Sequence, residues 1–179
     1  MKKNTTFQYW LVVASMAGFK IEGTAERPPK VGKYTTPENF EKLTFGQLIE
    51  MTQTGTPVDV CRVTLGMTEK EVAKARATEV VRYVAWATEQ LNKINALFAK
   101  LKSNPTPTEI QAGVDKLNFG LFGVIDTYAL RMGITDHDEV MKTSWMVVYK
   151  CLEIDYQKAQ YERRYNKIME NEMKRRNKR

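Results

Sequence analysis

Histidine is almost missing from this chain of 179 residues, and cysteine is scarce: one His and two Cys. His137 lies between Asp136 and Asp138, in a helix-start pattern, and no second motif supplies the further ligands a metal site needs. Cys61 and Cys151 have no CxxC spacing, so they define neither a zinc site nor a disulfide framework. Each sits among apolar neighbours, and both are expected to be buried, reduced thiols. The chain also lacks GxSxG, GxGxxG, HExxH and a phosphate-binding Walker loop. With no nucleophile elbow, nucleotide fingerprint or zincin helix, the expectation is a protein that is not an enzyme and carries no cofactor and no metal.

Long apolar runs are lacking too. The longest, Trp10 to Ala14, is far too short to cross a bilayer, and no membrane partner is expected. Lys2 and Lys3 ahead of that run imitate an export signal. The run is short, however, and Phe19 and Ile21 continue the apolar pattern past any cleavage point. An exported helical protein is kept as a third reading on this account. Hairpin turn signals, sustained apolar alternation, internal repeats and low-complexity stretches are not evident.

What is present is helical punctuation. Thr36-Pro37-Glu38-Asn39 reads as a helix start, Thr capping and Pro fitting the first turn. Thr44-Phe45-Gly46-Gln47 has capping-box spacing ahead of Leu48, Ile49 and Met51. Thr54-Gly55-Thr56-Pro57 ends that helix and opens another, which stops at Gly66. Thr68-Glu69-Lys70-Glu71 is a further box. From Glu69 to about Lys102, Val72, Val80, Tyr83, Val84, Ala87, Leu91, Ile94 and Phe98 recur at helical spacing, with Ala77-Thr78 a place for a bend. Thr106-Pro107-Thr108-Glu109 caps the next helix, which closes at Gly133. Gly113, Gly120 and Gly123 lie inside it and are read as sites of close backbone approach rather than a break near Asn118-Phe119-Gly120. Within the same stretch Asp126 needs a partner, and Arg131 and Arg82 are the candidates. Thr135 or Asp136 caps a last helix from His137 to about Lys174, roughly 55 Å long if continuous, long enough for its end to project.

The fold class is therefore all-α: a compact multi-helix bundle with an N-terminal arm (1–34), a helical body (35–157) and a long, projecting basic C-terminal helix (158–179). The arm is broken by Glu26-Arg27-Pro28-Pro29 and has no room for a core of its own. Its Trp10 and Phe19 must be buried either on the body or in a neighbouring subunit.

Charge is strongly polarised. Nine Lys or Arg and three Glu stand between Lys158 and Arg179, a net +6 of the whole chain's +7. Local density of this kind sets attraction to polyanions. Three readings stay open for the segment. It is a solvated helix end whose cations suit the dipole. It is an interface helix that covers a partner with Tyr161, Tyr165 and Ile168. Or it is a phosphate-binding helix in which Arg163, Arg164, Lys167, Arg175 and Arg176 contact nucleic acid.

Leu43-Thr44-Phe45-Gly46-Gln47-Leu48-Ile49-Glu50-Met51, then Gly66-Met67-Thr68-Glu69-Lys70-Glu71-Val72, then Ile125-Asp126-Thr127-Tyr128-Ala129, and finally Trp145-Met146-Val147-Val148-Tyr149 follow one another along the chain. This order resembles small helical proteins of tailed-phage morphogenesis, notably tail-assembly-chaperone-like proteins, over residues 40–170. The resemblance implies a virion structural or assembly protein: a tail-assembly factor, connector or ring subunit. Other virion or assembly proteins would be its partners, in an oligomer or larger complex. It would reside in the host cytoplasm during assembly and, if retained, in the virion. No catalytic residues carry over. The aromatic-rich arm lies outside the resemblance and suits a subunit retained in the particle, whose ring contacts would run head to tail.

Overall fold

The structure is a computed structural model that describes residues 5–10, 26–54, 56–101, 105–117 and 119–177. The all-α expectation holds. A minimal hairpin, β1 (Lys30–Val31) and β2 (Tyr34–Thr35), precedes α1 (Phe45–Thr54), α2 (Pro57–Leu65), α3 (Glu69–Lys74), α4 (Ala77–Ala99), α5 (Pro107–Gln111), a 3-10 turn (Val114–Lys116), α6 (Gly120–Met132), α7 (His137–Lys142) and α8 (Trp145–Arg176). Among the described residues no helix is long and apolar enough to cross a membrane.

The caps read from the sequence form as hydrogen bonds. Thr44 and Gln47 bond reciprocally, the Thr44 N–H donating to Gln47 Oε1 at 2.9 Å and the Gln47 N–H to Thr44 Oγ1 at 3.1 Å. Thr68 with Glu71 and Thr106 with Glu109 do the same.

Two expected helices are each divided, and the divisions match. The stretch from Glu69 breaks at Ala75-Arg76, and the stretch from His137 breaks at Thr143-Ser144. Ala75 and Thr143 adopt nearly the same extended backbone, φ −65°, ψ 161° and φ −72°, ψ 148°. Arg76 and Ser144 follow suit. Each break frees backbone groups that a helix would satisfy internally, and an upstream segment takes them up. At the first, Phe7 N–H donates to Ala75 O (2.9 Å) and Ala77 N–H to Thr5 O (2.8 Å). At the second, Phe45 N–H donates to Thr143 O (2.7 Å) and Trp145 N–H to Leu43 O (3.3 Å). Thr6 bridges Arg76 as Thr44 bridges Ser144. In both, the Phe after the bridging Thr is buried and begins a helix.

The correspondence extends upstream. α2 and α6 both end on a left-handed glycine, Gly66 (φ 69°) and Gly133 (φ 67°), a conformation that costs a Cβ-bearing residue energy. A six-residue helix follows each, with a fully buried valine, Val72 or Val140. The chain thus contains the same unit twice: a Thr-Phe insert, a helix closed by glycine, a short helix, a bridged break and a long helix. The sequence reading found no repeat. Its visible trace is short: Thr6-Phe7 against Thr44-Phe45, and Glu71-Val72-Ala73-Lys74 against Glu139-Val140-Met141-Lys142.

Other expectations need correcting. Residues 36–43 form no helix; Thr36 is buried, its hydroxyl donating to Pro28 O and its carbonyl accepting from Arg27 at 3.0 Å. The glycines of the 107–133 stretch do mark a break: Gly113 is left-handed (φ 86°) and ends α5, and α6 starts afresh at Gly120. The described parts of the arm pack on their own chain: Phe7 and Val31 are core residues (1% and 0% exposed). Beyond 157, α8 continues unbroken to Arg176 with its side chains mostly exposed.

Candidate functional site

α8 carries the most informative surface. Its body-facing side holds Trp145, Val148, Tyr149 and Leu152, buried or half-buried. On the opposite side of the same helix lies a second apolar row at intervals of seven, Val147, Ile154, Tyr161 and Ile168, exposed by 46, 43, 61 and 58%. A residue seven further on returns to nearly the same side of an α-helix, so the row is a continuous line. Tyr165 widens it and stacks on Tyr161 with ring centroids 6.2 Å apart. Scattered exposed apolar side chains are ordinary on any protein; an ordered line along one helix is not.

Of the residues expected at contacts, Tyr161, Tyr165 and Ile168 therefore lie together. Trp10 does not join them. It stacks on Phe7 (5.9 Å) and packs half-buried on the core of its own chain. Phe19 lies outside the described residues. Sequence periodicity missed Val147 and Ile154, because both fall where the core-facing side of the same helix is densest. The seven-residue spacing to Tyr161 and Ile168 was the signal.

The cations of α8 divide in two. Arg163 is bound to Glu109 of α5 at 2.9 Å and so braces the helix rather than standing free for a phosphate. Arg164, Lys167, Arg175 and Arg176 are exposed and form no ion pair among the described residues.

A groove between helices forms a second surface. Phe45, Leu48, Ile49, Phe98, Leu121 and Val124 line a mostly apolar cleft of about 390 Å³ between α1, α4 and α6. It shares Asn95, Phe98 and Val124 with a second cleft of about 620 Å³ that reaches Leu152 and Tyr156 on α8. No titratable group converges on the first cleft, so its chemistry is that of apolar packing.

The candidate reactive groups are dispersed. Asp126 is half-exposed, and its neighbour is His137 Nε2 at 3.4 Å, not Arg131 or Arg82. Arg131 pairs with Asp155 and donates to Cys151 O at 2.7 Å, and Arg82 pairs with Glu26. The His137–Asp126 contact, with the Phe122 ring 5.1 Å from the imidazole, ties α7 to α6. Among the described residues no group of three or more His, Cys, Asp or Glu is placed to hold a metal ion. Both cysteines are free. Burial pushes the Cys61 thiol up to about 12, whereas Cys151 is only half-buried. The most shifted carboxylate is structural. Lys33, the Thr68 backbone and Tyr34 all donate to Glu71 and hold it down at about 2, fastening the hairpin to α3.

Comparison of the chain with protein-family models, with curated proteins and with solved structures finds no match.

Proposed function

We propose that this protein is a non-enzymatic structural or assembly component of a tailed-phage particle, working through protein–protein contacts as a tail-assembly factor, connector or ring subunit. The observation that carries the reading is the apolar row on the solvent side of α8. Apolar surface of this order gains free energy when covered, about 25 cal/mol per Å². The dispersion of the titratable groups and the apolar lining of the groove fit a protein that binds rather than one that turns over a substrate. The particle context rests on the resemblance of residues 40–170.

The test is co-expression with the products of neighbouring open reading frames, followed by size-exclusion of the full chain. The expected result is a stable complex with a structural protein of the particle. That complex is lost in an I154S/Y161S/I168S variant whose circular dichroism is unchanged. A full chain that stays monomeric beside all its neighbours would sink the reading.

Nucleic acid is the second reading, favoured by the exposed Tyr161–Tyr165 stack beside Arg164, Lys167, Arg175 and Arg176, which form no ion pair among the described residues. It requires salt-dependent DNA binding that weakens on deletion of 174–179.

A further inference from the structure

α1 ties the two repeats together. Through Thr44 and Phe45 it fills the break of the second repeat, and along its flank it lies on α2 of the first. Gln47 Nε2 donates to Val63 O at 3.3 Å, and Glu50 pairs with Arg62. The side of α2 that meets α1 is accordingly enclosed, with Val60 2% exposed and Val63, one turn on, half-buried.

α6 is the counterpart of α2. With Gly66 set on Gly133, Val58-Asp59 falls on Ile125-Asp126, and Leu65-Gly66-Met67-Thr68 falls on Met132-Gly133-Ile134-Thr135. Cys61 and Tyr128 are then matched, and both are buried. Val60 and Val63 fall on Thr127 and Leu130. Here the environments part: Thr127 is exposed and Leu130 is 75% exposed. Among the described residues nothing covers this side of α6 as α1 covers α2.

The other half of the contact is bare as well. Residues 7–10 stand to the first repeat as the start of α1 stands to the second. Trp10 N–H donates to Thr6 O as Leu48 N–H donates to Thr44 O, both at 3.0 Å. Tyr9 thereby takes the place of Gln47. It is 66% exposed and carries a phenolic donor where Gln47 carries its amide.

We infer that copies of this chain associate head to tail, residues 7–10 of one copy packing on the Thr127–Leu130 side of α6 in the next, so that the contact of α1 with α2 is made again between molecules. The inference goes beyond the function proposed above, since it uses neither the apolar row of α8 nor the particle context.

Two features select a second copy as the occupant. The chain already makes this contact once within itself, and units of a repeated architecture are completed by stacking on their neighbours. The two bare halves are also different surfaces, one on each repeat. A symmetric pair through α6 would set Leu130 against Leu130 and leave Tyr9 in solvent. A head-to-tail contact covers both, and it closes into a ring or runs on as a filament according to the rotation it imposes.

The test is sedimentation velocity of the full chain at rising concentration, beside Y9D and L130D. Each variant alters one half of the contact and leaves the other intact. The native chain is expected to associate as concentration rises, and each variant alone to need at least tenfold more protein. An equal mixture of the two variants should form a one-to-one dimer that grows no further, because α6 of Y9D is intact and so are residues 7–10 of L130D. Both side chains are exposed, and unchanged circular dichroism and melting confirm that the variants fold. Should either aspartate unfold the chain, Y9S and L130S take their places in the same mixture.

A native chain that stays monomeric at the highest concentration overturns the inference, as does a mixture of variants that fails to pair. Association that Y9D leaves intact overturns it too, for the contact is then symmetric or lies elsewhere. Association lost in I154S/I168S but kept in both Y9D and L130D assigns assembly to α8 and ends the inference. In each of these cases a complex with particle proteins through α8 would leave the proposed function standing.

Discussion

α4 and α8 begin alike and end differently. Each follows a short helix, a bridged break and an upstream Thr-Phe insert. Yet α4 is enclosed, with Val80, Tyr83, Val84, Trp86, Ala87, Leu91 and Ile94 all buried along its length. The buried residues of the 32-residue α8 are Trp145, Val148 and Tyr149, all within its first turns. Helical propensity does not separate the two. What separates them is the chain available to cover them: residues 26–43 lie over the outer face of α4, and no described segment lies over that of α8. Burial on that face is therefore set by tertiary cover, while the break geometry that places the helix is set locally.

The sharpest way to break this comparison is to cut back the tenth residue of each long helix. Trp86→Ala should cost about 3–5 kcal/mol, since a large ring leaves a cavity against Phe40 and Tyr83. Ile154→Ala should stay within about 0.5 kcal/mol, because its side chain meets solvent. Urea melts of the isolated protein read both. Similar losses at the two positions would mean that α8 is already covered.

A smaller effect tests whether the repeats share their turn. Gly66→Ala and Gly133→Ala each force a Cβ into the left-handed region, at about 1 kcal/mol apiece. Neither added methyl meets a neighbour within 4 Å, so backbone conformation is the whole cost. Matching losses in thermal melts support equivalence of the two turns; loss at one alone would not.

The smallest effect is pH-dependent and belongs to the first repeat. Glu71 is held below its ordinary value by Lys33, Thr68 and Tyr34. A carboxyl depressed in the folded state stabilises it above the ordinary carboxylate range. That contribution fades as pH falls through that range toward about 2. Glu71→Gln should lower the melting temperature at pH 7, and the gap to the native chain should narrow toward pH 2.

Much of the helical framework was legible because it depends on side chains acting within a few residues. Thr44 with Gln47, Thr68 with Glu71, Thr106 with Glu109, and Gly66 and Gly133 all work at that range. The first break was partly legible, since a bend was expected at Ala77-Thr78, two residues past its place, and the second was not legible. Ala75-Arg76 and Thr143-Ser144 are helix-compatible sequences that open only because Thr5–Phe7 and Leu43–Phe45 offer backbone partners from far upstream. The hairpin was missed although Val31-Gly32-Lys33-Tyr34 sets a glycine-containing pair between strand-forming residues, a short signal overshadowed by the neighbouring prolines. At the candidate site, Tyr161, Tyr165 and Ile168 were visible as aromatic and apolar residues among charges. Val147 and Ile154 were not, since an apolar residue beside core positions reads as core until the opposite face is seen to be occupied.

The second bridge has a consequence for synthesis. The Phe45 N–H finds its partner only when Thr143 has been made, 98 residues further along the chain. At elongation rates of about 5–20 residues per second, that is roughly 5–20 seconds on the ribosome. Through that interval the nascent protein must shield Phe45, Leu48 and Ile49 by other means.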